Sequence, residues 1–169
     1  MSLDYNFDGN VRSDVLVPFI NETIAALDSM ADLKGTSTLL SQQDPLSIFS
    51  FKGFAVCVVA KIDGEIEGKI IMNHCLETAL AIGNSVRNKM LGTNDHLTEL
   101  NDDINEALTE FANTAIGLAT RFLDSKKQRI SFNTPLTIAN KDDSEFLLDG
   151  VVEILTIPID IENVGRFYF

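Results

Sequence analysis

Positive charge is scarce in this sequence, which has 13 Lys and Arg against 25 Asp and Glu and a formal net charge of −12. Proteins that bind nucleic acids present clustered cations to the phosphate backbone. The longest basic run, Lys126-Lys127-Gln128-Arg129, is short, and we interpret it as a solvated link between a helix and a strand. The composition therefore argues against a nucleic-acid partner.

The sequence also lacks the segments that carry a protein into or across a membrane. It has no basic N-terminal region followed by an apolar stretch. No run approaches the roughly 20 apolar residues that span a bilayer. We therefore expect a cytoplasmic protein that does not contact a membrane.

Cysteine and histidine are equally rare, with two of each. Cys57 and Cys75 form no C-x-x-C pair and are too few for a disulfide framework, which suits a reducing compartment. Together with His74 and His96 they match no metal-ligand spacing. We expect neither a metal site nor a cofactor of the protein's own.

The chain is long enough for one sizeable core, since 45% of its 169 residues are hydrophobic. We predict a single domain over residues 1–169, with an irregular start at about 1–12. Apolar residues from Val15 to Met30 recur at helical spacing.

Two more helices are predicted in the middle of the chain. The first follows His74 and ends at Gly92, a residue type that commonly ends helices. The second follows a polar linker, in which Asp102 or Asp103 can act as the N-cap.

Strand-like segments occupy much of the remaining sequence. SIFSFKGFAVCVVAKI and EIEGKIIMN are separated by Asp63-Gly64, which predicts a hairpin with a type I′ turn. A short edge strand is predicted around Thr38 to Ser41, and RISFNTPLTIA, FLLDGVVEILTIPIDI and the terminal RFYF read as β-rich. The order of elements predicts an α/β (α+β) fold, with helices packed on a largely antiparallel sheet.

The third helix contains EALTEFANTAIGLATRF, residues 106–122, and has two distinct faces. At about 100° per residue, one side is an apolar stripe formed by Ile104, Leu108, Phe111, Ala115, Leu118 and Phe122. The opposite side carries Glu106, Glu110, Asn113, Gly117 and Arg121. Glu110 and Asn113 are surface neighbours because they are three positions apart.

Residues that project little from the backbone surround this polar pair: Ala112, Thr114, Ile116, Gly117 and Thr120. Glycine inside a helix costs roughly 1 kcal/mol relative to alanine. Close approach by another backbone, from a neighbouring helix or from a docking partner, would explain Gly117. The sequence leaves both explanations open.

The segment Glu110-Phe111-Ala112-Asn113, followed by TAIGLA, resembles the E-x-x-N helix motif of the CheC/CheX/FliY family of chemotaxis phosphatases. GEIEGKIIMNHCLETAL resembles the family's strand-turn-strand-helix unit, and NTPLTIANKDDSEF with VVEILTIPIDI resembles its closing strands. The likeness covers roughly Val15 to Ile161 and implies a CheC-like fold. CheX is the closest form, because CheC has two such helices. In the first helix, Pro18-Phe19-Ile20-Asn21 is interpreted as an inactive half-motif.

The resemblance implies a phosphatase that acts on the phosphoaspartate of a CheY-like response regulator. Asn113 would orient the attacking water, since an amide both donates and accepts hydrogen bonds. Glu110 would dock on the active-site lysine of the regulator, and the regulator would hold the Mg²⁺. The surrounding contacts to the regulator would come from Glu106, Ala112, Thr114, Ile116, Gly117 and Arg121. Arg121 could instead pair with a carboxylate of its own chain.

The resemblance also implies a homodimer joined through sheet edges, in which RFYF could take part. One position departs from the family motif: Asp or Ser is usual four residues before the glutamate, and this chain has Glu106. Two alternatives therefore stay open. The protein could be a module of the same fold that binds a regulator without hydrolysis, or a structural dimer whose partner covers Glu110 and Asn113.

Overall fold

The computed structural model describes residues 13–37, 54–139, 147, 151 and 154–169. In chain order, its elements are α1 (Ser13–Ala31), β1 (Gly35–Ser37), β2 (Val56–Gly64), β3 (Gly68–His74), α2 (Leu76–Leu91), α3 (Asp102–Ser125), β4 (Ile130–Phe132), β5 (Leu136–Ile138), β6 (Pro158–Ile161) and β7 (Gly165–Tyr168). Residues 1–12 and the edge strand predicted at Thr38 to Ser41 lie outside the described residues. The single domain over 1–169 stays a prediction.

The described strands form one antiparallel sheet in the order β1-β6-β7-β3-β2-β4, and β5 also pairs with β2. Alternate residues of β2, among them Val58, Ala60 and Ile62, are buried in a core shared with the three helices. This arrangement confirms the predicted fold class of helices packed on a largely antiparallel sheet.

The predicted hairpin is present, but its turn is not at Asp63-Gly64. Both residues belong to β2, and residues 65–67 connect β2 to β3. Gly64 has a φ of +133°, and a β-carbon there would lie 2.3 Å from the carbonyl oxygen of Arg129. Glycine is therefore needed because the backbone before β4 passes close to it, and not because of a type I′ turn.

The long helix α3 packs against α1 on one side and against α2 on the other. Its N-cap is Asn101, whose side-chain oxygen accepts a hydrogen bond from the Ile104 N–H at 3.0 Å. The predicted caps, Asp102 and Asp103, lie instead in the first turn. Their negative charges interact favourably there with the positive end of the helix dipole.

Polar side chains of α2 fix the connection between α2 and α3 through hydrogen bonds and ion pairs. Asn84 is buried and forms two hydrogen bonds of 2.8 Å with the backbone of Leu97, one as donor and one as acceptor. One turn later, Arg87 pairs with Asp95 and Asp103. Gly92 ends α2 in the left-handed conformation, as predicted.

The C-terminal RFYF segment lies inside the sheet and not at its edge. β7 pairs with β6 on one side and with β3 on the other, and Phe167 is fully buried. The pairing with β6 runs along residues 165–168, whereas the pairing with β3 joins Tyr168 to Asn73. The participation of RFYF in a dimer stays a prediction. Among the helices that the structure describes, none is long and apolar enough to cross a membrane.

Candidate functional site

The polar face predicted for α3 lies on the outside of the protein. Glu106 and Arg121 are exposed, and Glu110, Asn113 and Gly117 are partly exposed. The core lies on the other side of the helix, and its buried residues are Ile104, Ala107, Leu108, Phe111, Ala112, Ala115, Ile116, Ala119, Thr120 and Leu123.

Two residues expected on the contact surface are in the core. Ala112 is 1% exposed and Ile116 is 2% exposed, so neither side chain can touch a partner that docks on the outside of α3. The buried arc is wider than the predicted stripe because α3 is flanked by two helices and also meets the sheet. At the C-terminal end of the predicted apolar stripe, Phe122 was expected to be buried and is 46% exposed.

Of the three remaining small residues of the face, Thr120 is also buried, whereas Thr114 and Gly117 are closer to the surface. Thr114 is partly exposed. At Gly117, an added β-carbon would lie 3.6 Å from Cζ of Phe132 in β4, which is ordinary van der Waals contact. Among the described residues outside α3, the neighbour of this glycine is an aromatic ring, and no backbone atom lies within 4 Å of the added β-carbon.

In the part of the chain that the structure describes, nothing engages the side chains of Glu110 and Asn113, so both can act on a molecule outside it. Neither side chain forms a hydrogen bond or an ion pair with another described residue. They stand one helical turn apart on the same face, so both can enter one pocket of a partner. A carboxylate can accept from a cation or a donor, and an amide can hold a water molecule through its donor and its acceptor.

A shallow groove of about 310 Å³ runs beside Glu110 on its N-terminal side. It is lined by Asp102, Asn105, Glu106, Thr109, Glu110 and Thr137. The groove is rich in acceptors: three of these residues are carboxylates, and the buried Oδ1 of Asn105 has no hydrogen-bond partner among the described residues. Glu106 therefore takes part in the surface next to Glu110, as predicted from its position.

Sequence reasoning did not find the other four residues that line the groove. Asp102 lies one helical turn before Glu106, Asn105 lies one position before Glu106, and Thr109 lies one position before Glu110. A longer helical wheel would therefore have located these three residues. Thr137 could not be found in this way. It lies in β5 and reaches α3 only because β5 pairs with β2.

Arg121 makes no ion pair among the described residues. Its Nε donates to the carbonyl oxygen of Gly117 at 3.3 Å, and the side chain is exposed. The alternative prediction, in which Arg121 pairs with a nearby carboxylate, does not agree with this arrangement.

None of the histidines and cysteines lines the groove beside Glu110. His74 is fully buried and stacks on Phe167, and burial lowers its pKa to about 3. Cys57 is buried in β2, and burial raises its pKa to about 12. Across the described part of the chain, no three His, Cys, Asp or Glu residues come together as metal ligands would.

The half-motif of the first helix differs from the face of α3. In α1, Pro18 is buried and Asn21 is exposed. An exposed asparagine is thus present on this helix without a carboxylate one turn before it.

Comparison with known proteins connects this chain to a family. The sequence model described as "Chemotaxis phosphatase CheX" matches residues 56–159, more than half of the chain. The chemotaxis protein CheX from Vibrio vulnificus has 18% identity and a TM-score of 0.67, covering 95% of this chain and 96% of its own. A CheC-like superfamily protein from Shewanella sp. PV-4 has 18% identity and a TM-score of 0.69, covering 94% and 96%.

A third similar structure contains a partner. It is the CheX–CheY–BeF₃–Mg²⁺ complex from Borrelia burgdorferi, with 19% identity, a TM-score of 0.65 and coverage of 93% of this chain and 96% of that chain. At these identities the likeness establishes the fold. No curated protein matches this chain by sequence.

Proposed function

The chain belongs to the CheX family of chemotaxis phosphatases, and from this premise we propose that it hydrolyses the phosphoaspartate of a CheY-like response regulator. The observation that carries the proposal is a pair of side chains on the exposed face of α3, Glu110 and Asn113, that no other described residue engages. A similar structure from Borrelia burgdorferi is a complex of CheX with CheY, which supports a regulator as the partner. We place both proteins in the cytoplasm.

The proposed chemistry suits an amide better than a strong base. An acyl phosphate already has a good leaving group, so the phosphatase mainly has to hold a water molecule in line with the scissile bond. In our proposal Asn113 accepts a hydrogen bond from this water and so aims its lone pair at phosphorus. The Mg²⁺ that offsets the phosphate charge belongs to the regulator.

Glu110 has a positioning role in this proposal. Its carboxylate binds the active-site lysine of the regulator and fixes the depth at which Asn113 enters the pocket. The partial exposure of both side chains and their separation by one turn support simultaneous entry. In this proposal, the surrounding contacts to the regulator come from Glu106, Thr114, Gly117 and Arg121. Ala112 and Ile116 are buried and instead pack α3 against the core.

Asn113→Ala tests the hydrolytic role directly. The decay of phosphorylated CheY-like regulators from the same organism is followed with wild-type protein and with the variant. We expect the wild type to accelerate decay and Asn113→Ala to lose about 100-fold or more of that acceleration, since the water is no longer held in line. Asn21→Ala is the matched control, because Asn21 is an exposed helical asparagine on α1.

The same experiment separates the alternatives. If wild-type protein binds the phosphorylated regulator but leaves its decay unchanged, the chain is a binding module without hydrolysis. The presence of Glu106 where the family motif has Asp or Ser favours this second candidate. Equal loss of activity in Asn21→Ala and Asn113→Ala would contradict the assignment of the site to α3.

We further propose a homodimer joined at a sheet edge. The edges of the described sheet are β1 at one side and β4 with β5 at the other. Leu136 in β5 is 62% exposed, which makes the β5 edge the better candidate. Light scattering of the wild type and of Thr137→Pro, which removes a backbone donor from that edge, tests this arrangement; a monomeric wild type would refute it.

A further inference from the structure

The two ends of the Asn113 amide are not equivalent in the proposed reaction. When Oδ1 faces the attacking water, it accepts a hydrogen bond from the water and leaves a lone pair of the water pointing at phosphorus. When Nδ2 faces the water, it donates to the water oxygen and engages a lone pair that the attack needs. Hydrolysis therefore depends on which end of the amide is turned outward.

The free protein does not fix this orientation through a hydrogen bond from any described residue to Asn113. The oxygen and the NH₂ group of an amide are alike in shape, so packing does not distinguish them. The side chain is also partly exposed, which leaves it room to turn. A polar neighbour of known hydrogen-bonding capacity is therefore needed to select one orientation.

Thr109 is a polar residue that lies one helical turn before Asn113. The two positions differ by four residues and by about 40° around the helix, and both side chains are partly exposed. Side chains of a helix lean toward its N-terminus, so the Asn113 amide leans over the turn that contains Thr109. Polar side chains four residues apart on a helix form hydrogen bonds. The hydroxyl group of Thr109 is thus placed to bond with the amide of Asn113.

This hydroxyl group can accept a hydrogen bond from Asn113 but does not have a proton to donate to it. The single hydroxyl proton of Thr109 is donated to the carbonyl oxygen of Asn105, at an oxygen–oxygen distance of 2.8 Å. No described residue donates to Oγ1 of Thr109, so it keeps its capacity to accept. An oxygen in this state attracts Nδ2 of a neighbouring amide and repels Oδ1.

Two other acceptors precede Asn113 on this face, and both are less suited to hold its amide. Glu110 lies three positions before Asn113, but in the proposed function its carboxylate binds the lysine of the regulator. Glu106 lies seven positions before Asn113, which is about 10 Å along the helix axis. Thr109 is therefore the acceptor that stays available beside Asn113 in the complex.

We propose that Thr109 is a positioning residue for the hydrolysis, and this inference rests on the proposed function. In the complex, Nδ2 of Asn113 donates to Oγ1 of Thr109, and Oδ1 is turned toward the attacking water. Thr109 itself touches neither the water nor the phosphoryl group. Its hydroxyl group therefore changes the rate of hydrolysis in the bound complex and leaves the affinity for the regulator unchanged.

Three variants separate the hydroxyl group of Thr109 from its surroundings. Thr109→Val keeps the shape of the side chain and removes the acceptor, whereas Thr109→Ser keeps the hydroxyl group. Thr120→Val is the matched control, because Thr120 is a threonine of the same helix whose hydroxyl group donates to the backbone oxygen of Gly117 at 3.1 Å. Thr120 is buried and does not face a docked partner. Urea unfolding checks that each variant is folded.

Affinity and hydrolysis are measured separately with a CheY-like regulator of the same organism. Affinity is measured by titration with regulator activated by beryllofluoride and Mg²⁺, and the hydrolysis rate is measured at saturating phosphorylated regulator. We expect Thr109→Val to hydrolyse about three- to tenfold more slowly than wild type, as for the loss of one hydrogen bond between neutral groups. Its affinity should be unchanged. Thr109→Ser and Thr120→Val should hydrolyse like wild type.

Each other outcome overturns the inference. Wild-type hydrolysis by Thr109→Val refutes the positioning role and leaves the proposed function intact. A loss of affinity with an unchanged rate at saturation makes Thr109 a docking contact instead. An equal loss of rate in Thr109→Ser or in Thr120→Val assigns the effect to the packing of α3. If the wild-type protein accelerates the decay of no regulator of the organism, the proposed function fails, and the role of Thr109 fails with it.

Discussion

Gly83 of α2 and Ile104 of α3 touch where the two helices meet. A β-carbon at Gly83 would lie 2.7 Å from Cγ2 of Ile104 and 3.0 Å from its Cδ1. Ile104 is fully buried in the first turn of α3. This contact therefore limits how closely α2 can approach α3, the helix that carries Glu110 and Asn113.

We predict that Gly83→Ala destabilises the protein. Alanine improves helix propensity by about 1 kcal/mol, but overpacking a core costs about 1–3 kcal/mol. The free energy of unfolding, measured by urea denaturation, should fall by about 1 kcal/mol. In the Ile104→Ala background the same change meets open space and should become neutral or stabilising; an equal loss in both backgrounds would show that the contact is not the cause.

Gly117→Ala should have the opposite effect. Gly117 is also inside a helix, but an added β-carbon would stand 3.6 Å from Phe132, at ordinary contact distance. The propensity gain of up to about 1 kcal/mol should therefore appear as increased stability. Thermal and urea unfolding of the two glycine variants side by side check this, and destabilisation by Gly117→Ala would indicate a closer neighbour than the structure has.

The existence of α3 and the position of its polar face were predictable because both depend on local spacing. Each of Glu106, Glu110, Asn113, Gly117 and Arg121 is partly or fully exposed, as the helical wheel indicates. Their roles toward a regulator stay predictions. The hairpin was predictable for the same reason, since two β-rich runs are separated by few residues.

The width of the buried arc was not predictable from α3 alone. Ala112 and Ile116 are buried because α1, α2 and the sheet surround the helix on several sides, and these contacts join residues far apart in sequence. The sequence pattern assigned Gly64 to a turn. Glycine is required there because the backbone of Arg129 passes close to it, and Arg129 is too distant in sequence for the local pattern to show this contact. Thr137 joins the groove for a similar long-range reason.

Asn84→Ala should loosen the connection between α2 and α3. The change leaves the N–H and the carbonyl of Leu97 without their 2.8 Å partners in a partly buried position. An unsatisfied buried polar group costs about 1–3 kcal/mol, so we expect a loss of about 2 kcal/mol. Hydrogen exchange should also show faster exchange of the Leu97 amide.

Asn88→Ala is the control for this prediction. Asn88 donates to the Asp95 carbonyl at 2.7 Å, but this hydrogen bond is exposed, so water can replace the side chain. The loss of stability should be below about 1 kcal/mol. Equal effects of the two variants would contradict the structural role assigned to Asn84.

His74 should make the protein sensitive to mild acid. The imidazole is fully buried, neither ring nitrogen has a hydrogen-bond partner among the described residues, and burial lowers its pKa to about 3. The unfolded chain binds a proton near the ordinary pKa of about 6.5, whereas the folded protein does not. Stability is therefore fully present above that value and is lost as the pH falls from there towards 3.

The expected loss is about 1 kcal/mol by a pH of about 5.5, because one proton contributes up to about 1.4 kcal/mol per pH unit. Carboxylates titrate mainly below this window. Urea unfolding between pH 7.5 and 5.5, both approximate limits of the window, should show the slope in wild type and in His96→Gln, which removes an exposed imidazole. His74→Leu should remove the slope whatever its effect on stability at neutral pH. A slope that persists in His74→Leu would show that another group takes up the proton.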